Sequence, residues 1–488
     1  MSAAPDPAAT AEADERAPTD APEPTAATAT ADDEPRWLRP NLKLLVALTV
    51  LALVSRLAWA LWLHHPGDYV FSDMGQYILR ANKLVEEGFV WGQRHLAWQS
   101  FGTHYVIALI FKLFGNQPPY TPAAVCYALF GAAAVPLSYL LACRVLPKAW
   151  MATTIGVTAL LWYPNLANTG FFLSEAPFLV AQLLSTYWLV RVIQEGKRAL
   201  PAGLISAICF MLRPQTAIWF VFVLAVWLIN RRRLPWVRWT QIAAIGLPLV
   251  AALFFSMWRF HQHTGYWAGV AESANMNFTA GRCHNIVTQA FKSQAALDHS
   301  VKTRNTRNGR RVSVPGLRAL GHLDRRHILY LNPAMGHESI RFVGYIGDPE
   351  IHRGLRKVCL RRTGFIGQLR YTLGNISLQW FFARQWPDQE PSSRWVLPVS
   401  DAFRYLFQIV VLLPSLLGMG VAVRRIRTRP ELAIIGFQIL GSIIIAGIFF
   451  GDVRLRTPYD PYALILALVG WTWIIDAIRR RRQARAAA

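Results

Sequence analysis

The chain has 488 residues, of which 53% are hydrophobic and 19 are Trp, with a mean hydropathy of +0.25. That composition excludes an ordinary soluble domain, and several apolar runs approach the roughly 20 residues needed to span a bilayer. A formal charge of +23 would suggest nucleic acid in a soluble protein. Here much of it sits in short loops between apolar runs, as the positive-inside rule expects, so no nucleic-acid partner is implied.

Residues 1–35 are Ala, Pro and Thr with nine acids and a single Arg. Such a segment cannot bury enough surface to offset its ordering entropy and is expected to be a disordered acidic cytoplasmic tail. It lacks the basic start of a signal peptide, so Lys43 to Leu63 reads as an uncleaved anchor. Further apolar runs near 121–143, 149–163, 174–193, 199–212, 215–230, 239–260, 402–423, 431–450 and 459–478 bring the expected spans to about ten. This holds if the dozen residues from Thr103 to Phe114 lie in the interface or re-enter. The clusters Arg36/Arg39/Lys43, Arg144/Lys148, Arg191/Lys197/Arg198, Arg231 to Arg233 with Arg238, Arg424 to Arg429 and Arg479 to Arg485 then all fall on one side.

The expectation is an all-α, polytopic, multi-pass protein of the inner (plasma) membrane with both termini cytoplasmic. Residues 36–260 form an N-terminal transmembrane core with a first outer loop over 64–120. Residues 261–401 form a large basic extracytoplasmic loop domain, 402–478 the C-terminal transmembrane helices, and 479–488 a basic cytoplasmic tail. The two outer segments hold all twelve His, and the second carries 19 Lys and Arg against 8 Asp and Glu between 261 and 400. Long loops translocate largely regardless of charge, and this one suits an anionic ligand or anionic lipid headgroups.

In the first outer loop Met74, Tyr77, Ile78, Ala81, Leu84 and Val85 recur at helical spacing, with Arg80, Lys83, Glu86 and Glu87 on the other face and Gly88 as the stop. This predicts an amphipathic helix lying on the outer surface. Asp73 at its start, three residues before Gln76, reads either as half of a capping box or as a functional carboxylate. Glu175 opens a later span, where Ser174 is a candidate cap and the helix dipole favours an acid. Arg213, before Pro214, interrupts an apolar hairpin on the same side, and snorkelling is its plain alternative. Arg454 and Arg456 lie in the last short outer loop, where positive charge breaks the inside rule and so points to a role. Arg56 sits within the first span, where an ionisable side chain usually faces a cavity, a partner or the interface. Arginine's planar fork suits phosphate, and a carboxylate suits activation of a hydroxyl or the holding of a metal.

With these residues in view the chain resembles the GT-C membrane glycosyltransferases, particularly the family 39 group of protein O-mannosyltransferases and lipid A aminoarabinose transferases. The resemblance rests on Ser72-Asp73-Met74-Gly75-Gln76-Tyr77 with Ala81, Leu84 and Gly88, on Leu113-Phe114-Gly115, Leu173-Ser174-Glu175 and Leu212-Arg213-Pro214, and on Arg454 to Pro458 with Pro461. It implies an outward-facing site in which Asp73 takes the catalytic first-loop position and Glu175 the second acidic position. Arg213, Arg454, Arg456 and Arg56 become candidates for the donor phosphate, and Tyr77 and His104 further site candidates. The reaction implied is transfer of a sugar from a polyprenyl-phosphate donor to a lipid, glycan or protein acceptor, with inversion and a carboxylate base. Two departures stand out: Met74 follows Asp73 where the O-mannosyltransferases carry adjacent acids, and Gln99 to His104 replace the paired prolines common before the short helix.

No cofactor is required by this reading, although the carboxylates admit a divalent metal. His261/His263 and His284 beside Cys283 are weak metal signals without HExxH or paired CxxC spacing. Cys126, Cys143 and Cys209 fall in or at the ends of spans, leaving Cys283 and Cys359 in the large outer loop, so a disulfide between them is expected. The competing readings are a secondary transporter or flippase of a lipid-linked or anionic substrate, which should show inverted repeats, and a non-catalytic envelope assembly protein using the basic loop to dock anionic polymer.

Overall fold

The computed structural model describes residues 37–267, 269–283, 286–291, 293, 295–296, 310–312, 328–332, 337–343, 345–382 and 396–487. The expected tail at 1–35 lies outside them, as do His284 and much of the large loop. The chain runs α1 (Leu42–Ala58), α2 (Ser72–Glu86), α3 (Gly102–Phe114), α4 (Thr121–Val145), α5 (Ala149–Leu161), α6 (Tyr163–Ala167), α7 (Glu175–Glu195), α8 (Ala199–Leu212), α9 (Ala217–Asn230), α10 (Trp239–Thr264) and α11 (Ser273–Arg282). A four-stranded sheet and then α12 (Pro349–Ser377), α13 (Val396–Leu406), α14 (Leu413–Arg424), α15 (Pro430–Ile448), α16 (Val453–Arg456) and α17 (Asp460–Ala487) follow.

The membrane part is all-helical. Seven helical stretches among the described residues are long and apolar enough to cross a bilayer, namely Leu42–Asp68, Thr121–Val145, Glu175–Glu195, Trp239–Thr264, Asp401–Arg424, Pro430–Ile448 and Arg454–Ala486. This is a multi-pass membrane protein. Shorter apolar helices, Ala149–Leu161, Ala199–Leu212 and Pro214–Asn230, take up the other three runs read as spans, and Gly102–Phe114 is the short one set aside. At 1.5 Å per residue, helices of 13 or 14 residues reach only about 20 Å, so the tally of ten rests on these pieces together with their flanking turns.

Packing follows small residues. Gly418 on α14 and Gly470 on α17 each sit so close to the other helix's backbone, at Leu466 and Pro414, that a Cβ would collide, the close approach small residues permit between apolar helices. The main core joins α1, α4, α5, α7, α14, α15 and α17 through Tyr139, Trp162, Phe178, Leu183, Ile435 and Tyr462. In the large loop β1 (Ile286–Phe291), β2 (Arg310–Val312), β3 (Ile328–Asn332) and β4 (His337–Val343) pair in the order β1-β4-β3-β2, with β1 parallel to β4 and the other pairs antiparallel.

The amphipathic helix forms as α2 and buries Met74, Tyr77, Ile78 and Ala81 against Ile107, Ala108, Ile110 and Phe111 of α3. Its apolar stripe therefore faces the short helix. One residue of its polar face departs from expectation, since Arg80 is only 2% exposed. Periodicity assigns it to solvent, but the guanidinium donates to Gln76 O of its own helix at 3.0 Å and to His95 O at 3.1 Å and Gln99 Oε1 at 2.9 Å in a loop folded back over the helix.

Candidate active site

Asp73 enters the site through strained backbone. Ser72 before it has φ of 48°, in the left-handed region that non-glycine residues adopt at a cost of order 1–3 kcal/mol, a strain that gathers at functional positions. The capping alternative does not describe Asp73, because the N-cap of α2 is Phe71 and no side chain caps it. Instead Asp73 Oδ1 accepts from Gln99 Nε2 at 3.2 Å and Oδ2 from Arg454 Nη2 at 2.9 Å. Glu175 behaves alike: Ser174 is the N-cap of α7 but makes no side-chain cap bond, and its hydroxyl accepts from Arg213 Nε and Nη2 at 3.0 and 2.9 Å.

The four residues form one alternating chain of charge. Arg454 reaches Asp73 with Nη2 and Glu175 Oε1 with Nε at 2.9 Å, and Arg213 Nη2 meets the same Oε1 at 2.7 Å. Glu175 is 1% exposed and Arg213 6%, whereas Arg454 and Asp73 are 24% and 35% exposed. The Glu175 end is thus a buried, mutually dependent cluster, in which removing either partner leaves a charge uncompensated. The Asp73 end is open enough for solvent to weaken its pair, so that carboxylate can change partner cheaply. Arg213 Nη1, though buried, has no hydrogen-bond partner among the described residues.

Asp73, Arg213 and Arg454 line a cavity of about 560 Å³, with Glu175 buried behind them. Its polar lining includes Asp73, Tyr77, Gln99, Ser174, Arg213 and Arg454, and its apolar lining Leu212, Ile218, Ile445, Phe449, Phe450 and Leu455. Helix α11 contributes Ala274, Met276 and Asn277. Tyr77 is buried, and desolvation pushes its phenol up to about 12. At neutral pH it is a hydrogen-bond donor and no base.

The other expected site residues lie elsewhere. Arg56 does not line this cavity; it is buried beside the last turn of α5, where Nη1 donates to Leu160 O at 2.8 Å and Nη2 to Ala159 O at 3.2 Å. There it satisfies carbonyls that a helix end leaves unpaired. Arg456 is turned into a buried pair, with Nε 3.0 Å from Asp460 Oδ1, its guanidinium 3.8 Å above the Phe407 ring, and Asp460 Oδ2 accepting from Trp162 at 2.8 Å. His104 is buried on α3, facing a smaller recess with Arg80, Arg259 and His263. Cys283 and Cys359 are joined in a disulfide. Among the described residues no three His, Cys, Asp or Glu side chains gather as a metal site, and Arg454 between Asp73 and Glu175 gives those carboxylates a cation already, a donor set that does not fit a metal as it stands.

Gln99 and Ser174 are the site residues that sequence reasoning passed over as such. Ser174 had a signal, adjacency to Glu175, and was read as a cap. Gln99 had none, because its place depends on a loop returning to α2.

No family model and no curated protein sequence matches the chain. Among solved structures it is similar to the Archaeoglobus fulgidus oligosaccharyltransferase in its apo form, with 12% identity and a TM-score of 0.47 over 91% of this chain and 52% of that one. The same enzyme tethered to an acceptor peptide containing the NVT sequon gives 13% and 0.47 over 90% and 50%. ArnT from Cupriavidus metallidurans bound to undecaprenyl phosphate gives 15% and 0.36 over 86% and 78%. These are glycosyltransferases of the GT-C class. The chain spans about half the length of the archaeal enzyme. At TM-scores below 0.5 the likeness is loose, and the chemistry rests on this chain's own residues.

Proposed function

We propose that the protein is an integral membrane glycosyltransferase that moves a hexosyl or pentosyl group from a polyprenyl-phosphate donor to an acceptor hydroxyl on the outer face of the membrane. The observation that carries this reading is the ion-pair chain Asp73–Arg454–Glu175–Arg213, of which Asp73, Arg454 and Arg213 line a cavity that also has many apolar lining residues. Such a cavity matches a donor with a charged head and a hydrocarbon tail.

In this account the donor phosphate takes Arg213 and Arg454 as its partners, and Arg213 Nη1 has a donor to give. Drawing Arg454 toward phosphate releases Asp73, which is held meanwhile by Gln99. The freed carboxylate accepts the acceptor's hydroxyl proton as that oxygen bonds to the anomeric carbon from the face opposite the leaving group. The bond from the anomeric carbon to the phosphate oxygen breaks with its electron pair, and the polyprenyl phosphate leaves with its added charge met by the two arginines. Glu175 stays buried and fixes both guanidinium groups.

The test is transfer of radiolabelled sugar in membranes supplied with a panel of polyprenyl-phosphate sugars. Donor-dependent product that falls with Arg213→Gln supports the reading. Absence of transfer from every donor, with substrate instead moved across proteoliposome membranes, would replace it with the transporter reading.

A further inference from the structure

Helix α12 changes character at Gly364, whose φ of 58° and ψ of −172° break it into two pieces. The first piece is fixed by one face to α11. His352 Nδ1 lies 3.1 Å from Thr279 Oγ1, Arg356 Nη1 donates to Thr279 Oγ1 at 3.1 Å, and Cys359 is bonded to Cys283. Helix α11 in turn lies across the end of the bundle. Its Glu272 and Ser273 amides donate to Ala97 and Trp98 carbonyls at one end, and Arg282 donates to Gly447 O at the other.

The second piece runs down beside α15. Thr372 and Ile376 stand against Gly447, Asn375 Nδ2 donates to Phe449 O at 3.3 Å, and Gln379 Nε2 to Ser442 Oγ at 2.6 Å. Ser442 lies six residues before the end of α15 at Ile448, roughly 9 Å into the span at 1.5 Å per residue.

The outward face of α12 carries a matching change. Arg353, Lys357 and Arg361 are exposed at four-residue intervals before the break. After the break Phe365, Ile366, Leu369 and Leu373 are exposed at 81%, 60%, 45% and 56%, with one cation, Arg370, exposed among them. A basic row leading into an apolar row, on a helix that passes from the bundle's end into the depth of a span, complements a lipid with a negative headgroup above its acyl chains.

We propose that α12 is a binding surface for an acidic phospholipid, with Arg353, Lys357 and Arg361 at the headgroup and Phe365, Ile366, Leu369 and Leu373 among the acyl chains. The surface is independent of whether the Asp73 cavity transfers sugar. It places bound lipid beside Phe449 and Phe450, which line that cavity.

Two measurements on the full chain test this. In proteoliposomes of phosphatidylcholine mixed with phosphatidylglycerol, an environment-sensitive fluorescent amino acid replacing Leu369 should be quenched by doxyl-labelled lipid and shielded from iodide. Iodide quenching there equal to that of a water-exposed control overturns the inserted face. Native mass spectrometry of detergent-purified protein should show retained phosphatidylglycerol in preference to phosphatidylcholine, reduced on the order of fivefold for each of Arg353→Gln, Lys357→Gln and Arg361→Gln, the effect of one basic side chain at an anionic surface. Equal retention of the two lipids by the wild type overturns the headgroup site even if the variants fail to fold.

Discussion

Arg454 Nη2 lies 2.9 Å from Asp73 Oδ2 across a sequence separation of 381 residues, while the same guanidinium holds Glu175 through Nε. One side chain thus links a partly exposed carboxylate to a buried one. A planar fork holds both at fixed positions through Nε and Nη2, whereas an ammonium on a flexible stem is a point charge without that geometry. Arg454→Lys, though it keeps the charge, is predicted to lower transfer by about a hundredfold, the usual scale for losing one oriented charge-stabilising donor. A lysine variant with wild-type kcat/KM would remove the fork from the account.

Glu175 is 1% exposed between two arginines. Glu175→Gln leaves both cations without their shared anion, and breaking a buried pair from one side costs about 3–5 kcal/mol. The expected result is a lower melting temperature in detergent together with loss of transfer. The double variant with Arg213→Gln should lose much less than the sum of the two single losses, because the charges then leave together. Strict additivity would show that the pair is not coupled.

His352 gives the large loop a defined pH response. Its side chain is fully buried, and burial lowers its pKa from the ordinary 6.5. A group whose folded pKa is depressed contributes stability above its unfolded value, and that contribution is lost as pH falls from 6.5 through the folded pKa. The melting temperature of the loop region should therefore decline on acidification below about pH 6.5. The His352→Gln variant, which has no proton to take up, should show a flatter profile over the same range. Parallel profiles would assign the acid response to other groups.

The Cys283–Cys359 bond closes a loop with a sequence separation of 76, for which the chain-entropy estimate is about 4.5 kcal/mol. Reduction, or Cys283→Ser, should lower the melting temperature and leave α12 held to α11 by non-covalent contacts such as those at Thr279 and Asn275. Because Ala274, Met276 and Asn277 of α11 line the cavity, KM for the donor should rise more than kcat falls. A change confined to kcat would argue that α11 takes no part in binding.

The sequence showed the helical membrane class and several of the polar residues that meet at the cavity, because charges that defy the apolar pattern or the positive-inside rule stand out one at a time. Their partners were not legible. Arg56 and Arg456 break the same rules as Arg454 and Arg213, yet the fold gives them the carbonyls of Ala159 and Leu160 and the carboxylate of Asp460. A charge in a span announces that it must be satisfied without saying by what. Arg80 misled in the other direction, since periodicity sees one helix and misses the loop carrying His95 and Gln99 across it. The packing of the 364–382 segment beside α15 was hidden because Arg370, Gln368, Asn375, Gln379 and three glycines keep it well below the hydropathy of a span.

The central claim is that the Asp73 carboxylate accepts the acceptor's proton, and the most direct measurement is single-turnover sugar transfer by purified wild type and Asp73→Asn from the same polyprenyl-phosphate donor. Asparagine keeps the size and an acceptor oxygen for Gln99 but cannot take the proton. The account predicts a fall of at least about a hundredfold, the lower end for loss of a positioned general base, with donor binding retained. A rate within a few-fold of wild type would contradict it and leave Asp73 as the anchor of Arg454.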